Sequence, residues 1–153
     1  MNDVIRGVIG GLAGTVAMSA AMVATRVTGA MRRQVPPREI AANAEDAIGL
    51  LDHLSVPEFE ASWKAQHLAY GMAAGVAYAL IRRKIPLPAP VAGPAFGAAL
   101  WAFGYAGWLP ALGLYPPPTE DTSDRIASMI VHHLIYGTVT AMTADALRDD
   151  GPA

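Results

Sequence analysis

Four stretches of this chain carry no charge. No Asp, Glu, Lys or Arg lies between Arg6 and Arg26, Lys64 and Arg82, Lys84 and Glu120, or Arg125 and Asp145. At about 1.5 Å rise per residue the shortest stretch, roughly 17 residues, reaches about 26 Å, against a hydrocarbon thickness of about 30 Å. A soluble amphipathic helix would present a polar face every turn. From Gly7 to Ala24 the only polar side chains are Thr15 and Ser19. The pattern predicts an all-α, polytopic membrane protein with four transmembrane helices, at about residues 5–25, 56–81, 90–109 and 125–144.

The connections carry their own signals. Pro36-Pro37-Arg38-Glu39 follows span 1, and Pro116-Pro117-Pro118-Thr119-Glu120 follows span 3. Paired prolines cannot continue a helix and turn the chain at the membrane surface. Between spans 1 and 2, Ile40, Ala44, Ala47, Ile48 and Leu51 recur at helical spacing opposite Glu39, Asn43, Asp46 and Asp52. This predicts a short amphipathic helix within Glu39 to Leu54, lying over the end of the bundle with an acidic outer face. Ser55 and Glu58 fit a capping box, with Pro57 in the first turn, so span 2 is expected to begin near Val56.

One motif occurs twice. Gln66-His67-Leu68-Ala69-Tyr70-Gly71 opens span 2, and His132-His133-Leu134-Ile135-Tyr136-Gly137 lies in span 4. The repetition predicts two similar helix-pair halves, about 1–84 and 85–153, in a single integral membrane domain. Gly7, Gly10, Gly11 and Gly14 in span 1, and Gly93 and Gly97 in span 3, form small-xxx-small pairs that let another backbone approach closely. Spans 1 and 3 hold equivalent places, so they are expected to pair at the centre, with their remaining glycine seams available to a homodimer.

Composition excludes some classes. At 53% hydrophobic and 16% charged residues the average alone leaves membrane and soluble classes open, and the distribution decides. With no cysteine there is neither disulfide nor thiolate chemistry. A net charge of −2 without a basic stripe points away from nucleic acid. The first run has a single basic residue, Arg6, before it and three spans after it, so a cleaved signal peptide is disfavoured. The short cationic turn Arg82-Arg83-Lys84 lies on the side of Arg6 and Arg148. Opposite are Arg26, Arg32, Arg33, Arg38, Lys64 and Arg125, within or beside an acidic, longer connection. The positive-inside rule then puts both termini in the cytoplasm.

His67 with Tyr70, and His133 with Tyr136, share a helix face at i and i+3. Polar groups at such depth face the bundle interior, so these four form one expected polar cluster, with Glu39 and Glu120 above it. His132, about 100° round the helix from His133, is expected at the interface. The cluster suits a polar route or proton-sensing site in a small channel, transporter or sensor. In the bland alternative the histidines only bond across helices and lock the halves together. Facing histidines, His67 and His133, could also ligate haem or a divalent metal, although no cofactor is expected outright and no His-Glu-x-x-His spacing occurs. Ser128 and His132 lie one turn apart, yet no nucleophile elbow, phosphate loop or hydrolase motif is present, and no catalytic residue is assigned.

Pro36-Pro37-Arg38, His67 to Gly71 with Gly75 to Tyr78, Gly113-Leu114-Tyr115-Pro116-Pro117, and His133-Leu134-Ile135-Tyr136 together resemble the YagU family of bacterial inner-membrane proteins. The resemblance covers most of the chain in order and implies a multi-pass protein of the bacterial inner membrane. That family has no assigned biochemical activity. The compact first connection and short tails depart from its longer members.

Overall fold

The computed structural model describes residues 1–28, 35–84 and 87–148; Arg32 and Arg33, counted above for orientation, lie outside them. The chain is helical, with no strand among the described residues. Its helices are α1 (Asp3–Val27), α2 (Pro36–Ala47), α3 (Val56–Arg82), α4 (Ala89–Phe103), α5 (Leu109–Ala111) and α6 (Ser123–Ala146).

Local chemistry sets the boundaries. The Asn2 side chain accepts from the Ile5 N–H at 3.0 Å and starts α1. Glu58 accepts from the Ser55 N–H at 2.8 Å, the reciprocal arm of the expected capping box, and α3 starts at Val56. α2 is shorter than its apolar spacing suggests. Gly49 takes φ 69°, and the bonds Gly49 N–H to Asp46 O and Leu50 N–H to Glu45 O, 2.9 and 2.8 Å, close a Schellman cap. Ile48 and Leu51 therefore fall beyond the helix, and its buried face is Ala41 and Glu45 instead. Gly113, also at φ 69°, ends α5 with the same pair of bonds.

Span 3 is not one continuous α-helix. A wider π turn, Gly104–Trp108, separates α4 from α5. Pro110 lacks the N–H that an unbroken helix would aim at Ala106, and Gly107 leaves helical geometry at φ −114° and ψ −106°. By length and composition, two helices among the described residues could cross a membrane: α1 and α6.

The helices form a row with α1 and α6 at its centre. α3 lies on the free side of α1 and α4 on the free side of α6, while α3 and α4 make no extensive contact. Glycine decides this order. A Cβ on Gly7 would sit 2.6 Å from Val76 Cα, and one on Gly75 would sit 2.5 Å from Gly11 Cα. One on Gly10 would sit 2.9 Å from Thr140 O, and one on Gly93 would sit 2.8 Å from Gly137 O. The expected pairing of spans 1 and 3 is thereby overturned: Gly10 and Gly14 of span 1 seat α6, and Gly93 and Gly97 of span 3 seat the other side of α6. All six glycines are used within the chain, so they no longer argue for a homodimer.

At the end holding Met1, α6's C-terminus and the Arg82–Lys84 turn, charge is paired. Arg6, 1% exposed, bonds Asp3 at 2.8 Å and the carbonyl of Ala79 at 3.2 Å. Arg82 meets Asp145 at 2.8 Å, and Arg83 meets Asp3 at 2.9 Å.

Candidate functional site

The gap between α3 and α4 holds a cavity of about 300 Å³. Met18 and Met22 of α1 and Met129, His133 and Tyr136 of α6 form its floor. His67 and Tyr70 stand on the α3 side, Trp101 and Trp108 on the α4 side, and Pro36, Pro37 and Ile40 of α2 close the top.

Both copies of the repeated motif therefore border one space, but in unequal roles. Tyr136 is buried and donates to the Gly71 carbonyl at 2.6 Å, tying the second copy to the first. Tyr70 is 43% exposed and leans on Trp108, ring centres 6.4 Å apart, at the rim. The difference follows from the row: α6 is flanked on both sides, whereas α3 has one free face. His133 Nδ1 lies 2.8 Å from the Met129 carbonyl. A carbonyl only accepts, so Nδ1 carries the hydrogen and Nε2 of the neutral ring keeps its lone pair. His67 Nε2 is buried with no hydrogen-bond partner among the described residues.

Three expectations need correcting. Glu39 does not sit over the histidines; it pairs with Arg125 at 2.8 Å, drawn there by a guanidinium buried at the head of α6. Glu120 lies exposed on the turn Pro118–Glu120, where the three prolines carry the chain outward. His132 does not face the interface. It is 1% exposed, with Nε2 3.4 Å from Thr25 Oγ1, because that side of α6 packs on α1.

Beside Arg125 the buried carboxylate is Asp121, whose side chain is 2% exposed. It accepts from the Tyr105 hydroxyl at 2.6 Å and lies 3.5 Å from Arg125 Nε. Arg125 also covers the Tyr115 ring at 5.2 Å. Burial pushes the Tyr115 phenol up, so it remains a protonated donor at neutral pH. Sequence reading missed this group; its only trace was the i, i+4 spacing of Asp121 and Arg125. The same end anchors α2. Arg38 meets Glu60 at 2.8 Å, Asn43 donates to the Leu114 carbonyl at 2.9 Å, and buried Glu45 accepts from Gln66 at 2.6 Å and from Ser62.

Chemically the cavity is apolar with few polar points. No Lys, Arg, Asp or Glu lines it. Trp101 Nε1, on a lining residue, is buried without a hydrogen-bond partner among the described residues, like His67 Nε2, and the buried Tyr115 hydroxyl has no acceptor among them. Among the described residues no three His, Asp or Glu side chains are disposed to hold one metal ion.

The chain belongs to the family of unknown function DUF6789, whose sequence profile matches residues 1–152. No curated protein and no solved structure matches it.

Proposed function

We propose that this chain is a four-span membrane protein that holds a small apolar molecule in the cavity between α3 and α4, as a carrier or sensor rather than an enzyme. The observation that carries the reading is the distribution of polarity. Arg6, Thr15, His132 and Thr140 are buried, whereas Ile5, Ile9, Leu12, Val16 and Val23 form an exposed stripe along α1. Val91 and Phe103 of α4 and Val131 and Met142 of α6 are likewise exposed. A protein in water would leave these surfaces as aggregation sites, and a bilayer covers them. Charges gather at the two ends, which suits the same arrangement. α3 is uncharged from Ala65 to Ile81, and α4, the π turn and α5 together are uncharged, so these segments supply the other two spans. A bacterial inner membrane and kinship with YagU-like proteins remain part of this reading, on the strength of the repeated motif and the proline turns.

Reporter fusions test the topology. A reporter active only in the cytoplasm should give signal when inserted at Arg83 or joined to the C-terminus, and none between Ala41 and Asp52. The reverse pattern would invert the orientation, and signal at all three positions would sink the membrane reading. Arg83 and Lys84 are the basis of the expectation, since both are exposed, whereas Arg6 is buried against Asp3 and Arg82 is held by Asp145.

A second reading is favoured by His133. A hydrogen bond from Nδ1 to a backbone carbonyl is how ligating histidines are oriented, leaving Nε2 for a metal. His67, whose Nε2 is buried, borders the same cavity and would supply a second nitrogen to a haem iron. Purified protein with a Soret band that disappears in His67→Ala and in His133→Ala would establish it. A colourless preparation that stays colourless on haem addition would remove it.

A further inference from the structure

The cavity's donors and lining specify a ligand more narrowly than "small and apolar". Resting on the reading of this cavity as a ligand site, we infer that it takes a neutral ring molecule bearing carbonyl oxygens, of the quinone class.

Charge comes first. With no Lys or Arg in the lining, and His67 and His133 as its nearest basic groups, a carboxylate or phosphate would be buried without a permanent counter-ion; with no Asp or Glu, a cation would be too. The ligand is therefore neutral. Hydrogen bonding comes next. Trp101 Nε1 can only donate, and the protonated Tyr115 phenol, beside an Arg125 guanidinium that itself only donates, has its hydrogen to give; neither finds an acceptor among the described residues. Buried donors without partners are uncommon in folded proteins, and two of them at one cavity ask for acceptor oxygens from the occupant. Carbonyl groups supply these without adding a charge.

Shape gives the ring. Trp101, Tyr105 and Tyr115 form a continuous aromatic row, with centroids 5.7 and 5.3 Å apart, facing the thioethers of Met18, Met22 and Met129. Aromatic faces and methionine sulfur both suit a flat, polarisable partner. About 300 Å³ lies at the small end of ligand pockets, enough for one substituted ring. The open side between α3 and α4 lets a tail leave into surrounding lipid, with Tyr70 and Trp108 at its edges. The ring could belong to a lipid-borne quinone or to a free aromatic carbonyl compound.

The test uses the purified full chain in detergent and three probes: a dimethoxy-methyl benzoquinone carrying a decyl chain, the same quinone without the chain, and decylbenzene. Binding is read as tryptophan quenching for the quinones and as a shift in Tm for all three. Quinone binding is expected, weakened about 3- to 10-fold in Tyr115→Phe and again in Trp101→Phe, as loss of one hydrogen bond predicts. Tyr115→Phe should change the Tm of the protein without probe little, since the ring that Arg125 covers is kept and the lost hydroxyl hydrogen has no acceptor among the described residues. Binding at least tenfold tighter for the decyl form would assign the site to a membrane quinone; equal binding would assign it to a free compound. Decylbenzene binding as tightly as its quinone counterpart, or affinities unchanged in both variants, would overturn the carbonyl inference and leave the cavity as a ligand site. Failure of all three probes would remove the ligand site, and this inference with it.

Discussion

Gly11→Ala is expected to destabilise the protein by about 1–3 kcal/mol, and Gly11→Leu to prevent folding. The added Cβ would lie 2.9 Å from the Met72 Cα and closer still to the Gly71 carbonyl oxygen. Both obstacles are backbone. No flexible side-chain end can swing aside, so α1 and α3 must separate along their whole contact. That contact also carries Gly7 against Gly75 and Val76, and dispersion across it is lost steeply once the helices part. In lipid there is little hydrophobic drive to pull them back together. Thermal unfolding in detergent, followed by size-exclusion profile, measures the loss. Gly104→Ala is the control, because the nearest atom to its added Cβ is 3.8 Å away, and it should change Tm little. If Gly11→Ala were as mild as Gly104→Ala, the close α1–α3 packing would be wrong.

The same seam shows what the sequence disclosed about the fold and what it withheld. Uncharged runs and proline turns marked the helices well: α1, α3 and α6 begin and end within a few residues of their expected bounds. Glycine spacing marked which faces would be approached closely but not by which helix. A small-xxx-small pair says only that a backbone fits there. The answer lay in Gly71 and Gly137, which stand at matching positions on α3 and α6 and close the two copies of the His/Tyr motif, and in Gly75, one turn further along α3. Gly71 and Gly137 sit next to the motif tyrosines because each is the point where a neighbouring helix touches. The π turn was hidden for another reason: Gly104, Gly107 and Pro110 permit a break without dictating whether the segment widens or kinks.

The candidate site was half legible. His67 and His133 both line the cavity, and the repeated motif is what singles them out in the sequence. Its aromatic wall was not foreseen, since Trp101, Tyr105 and Tyr115 come from two sides of a break in regular structure. Neither was the identity of the inner acid. Glu120 and Asp121 are adjacent, and only the direction taken after three prolines decides that Asp121 turns in while Glu120 faces out.

That choice makes Arg125 the most consequential charged residue at this end. Its side chain is 6% exposed, and it holds Glu39 of α2 at 2.8 Å while lying 3.5 Å from Asp121. Arg125→Met keeps much of the side-chain volume but leaves the Asp121 carboxylate with the Tyr105 hydroxyl and the Thr122 N–H and no neighbouring cation, and frees Glu39 from α6. Breaking a buried pair from one side costs about 3–5 kcal/mol, against about 0–1 for an exposed one. The larger figure is expected because both Arg125 and Asp121 are deep. Adding Asp121→Asn should recover part of the loss, since it removes the uncompensated charge that the first change created; the double variant then costs less than the two singles together. A second consequence follows from geometry. Glu39 is on α2, whose Pro36, Pro37 and Ile40 roof the cavity, so amide exchange in α2 should quicken in Arg125→Met more than in α1. A Tm drop equal to that of an exposed pair, with α2 exchange unchanged, would mean that Arg125 neither anchors the roof nor compensates Asp121. A large drop with faster exchange at α2 would make it the fastening of the helix that closes the site.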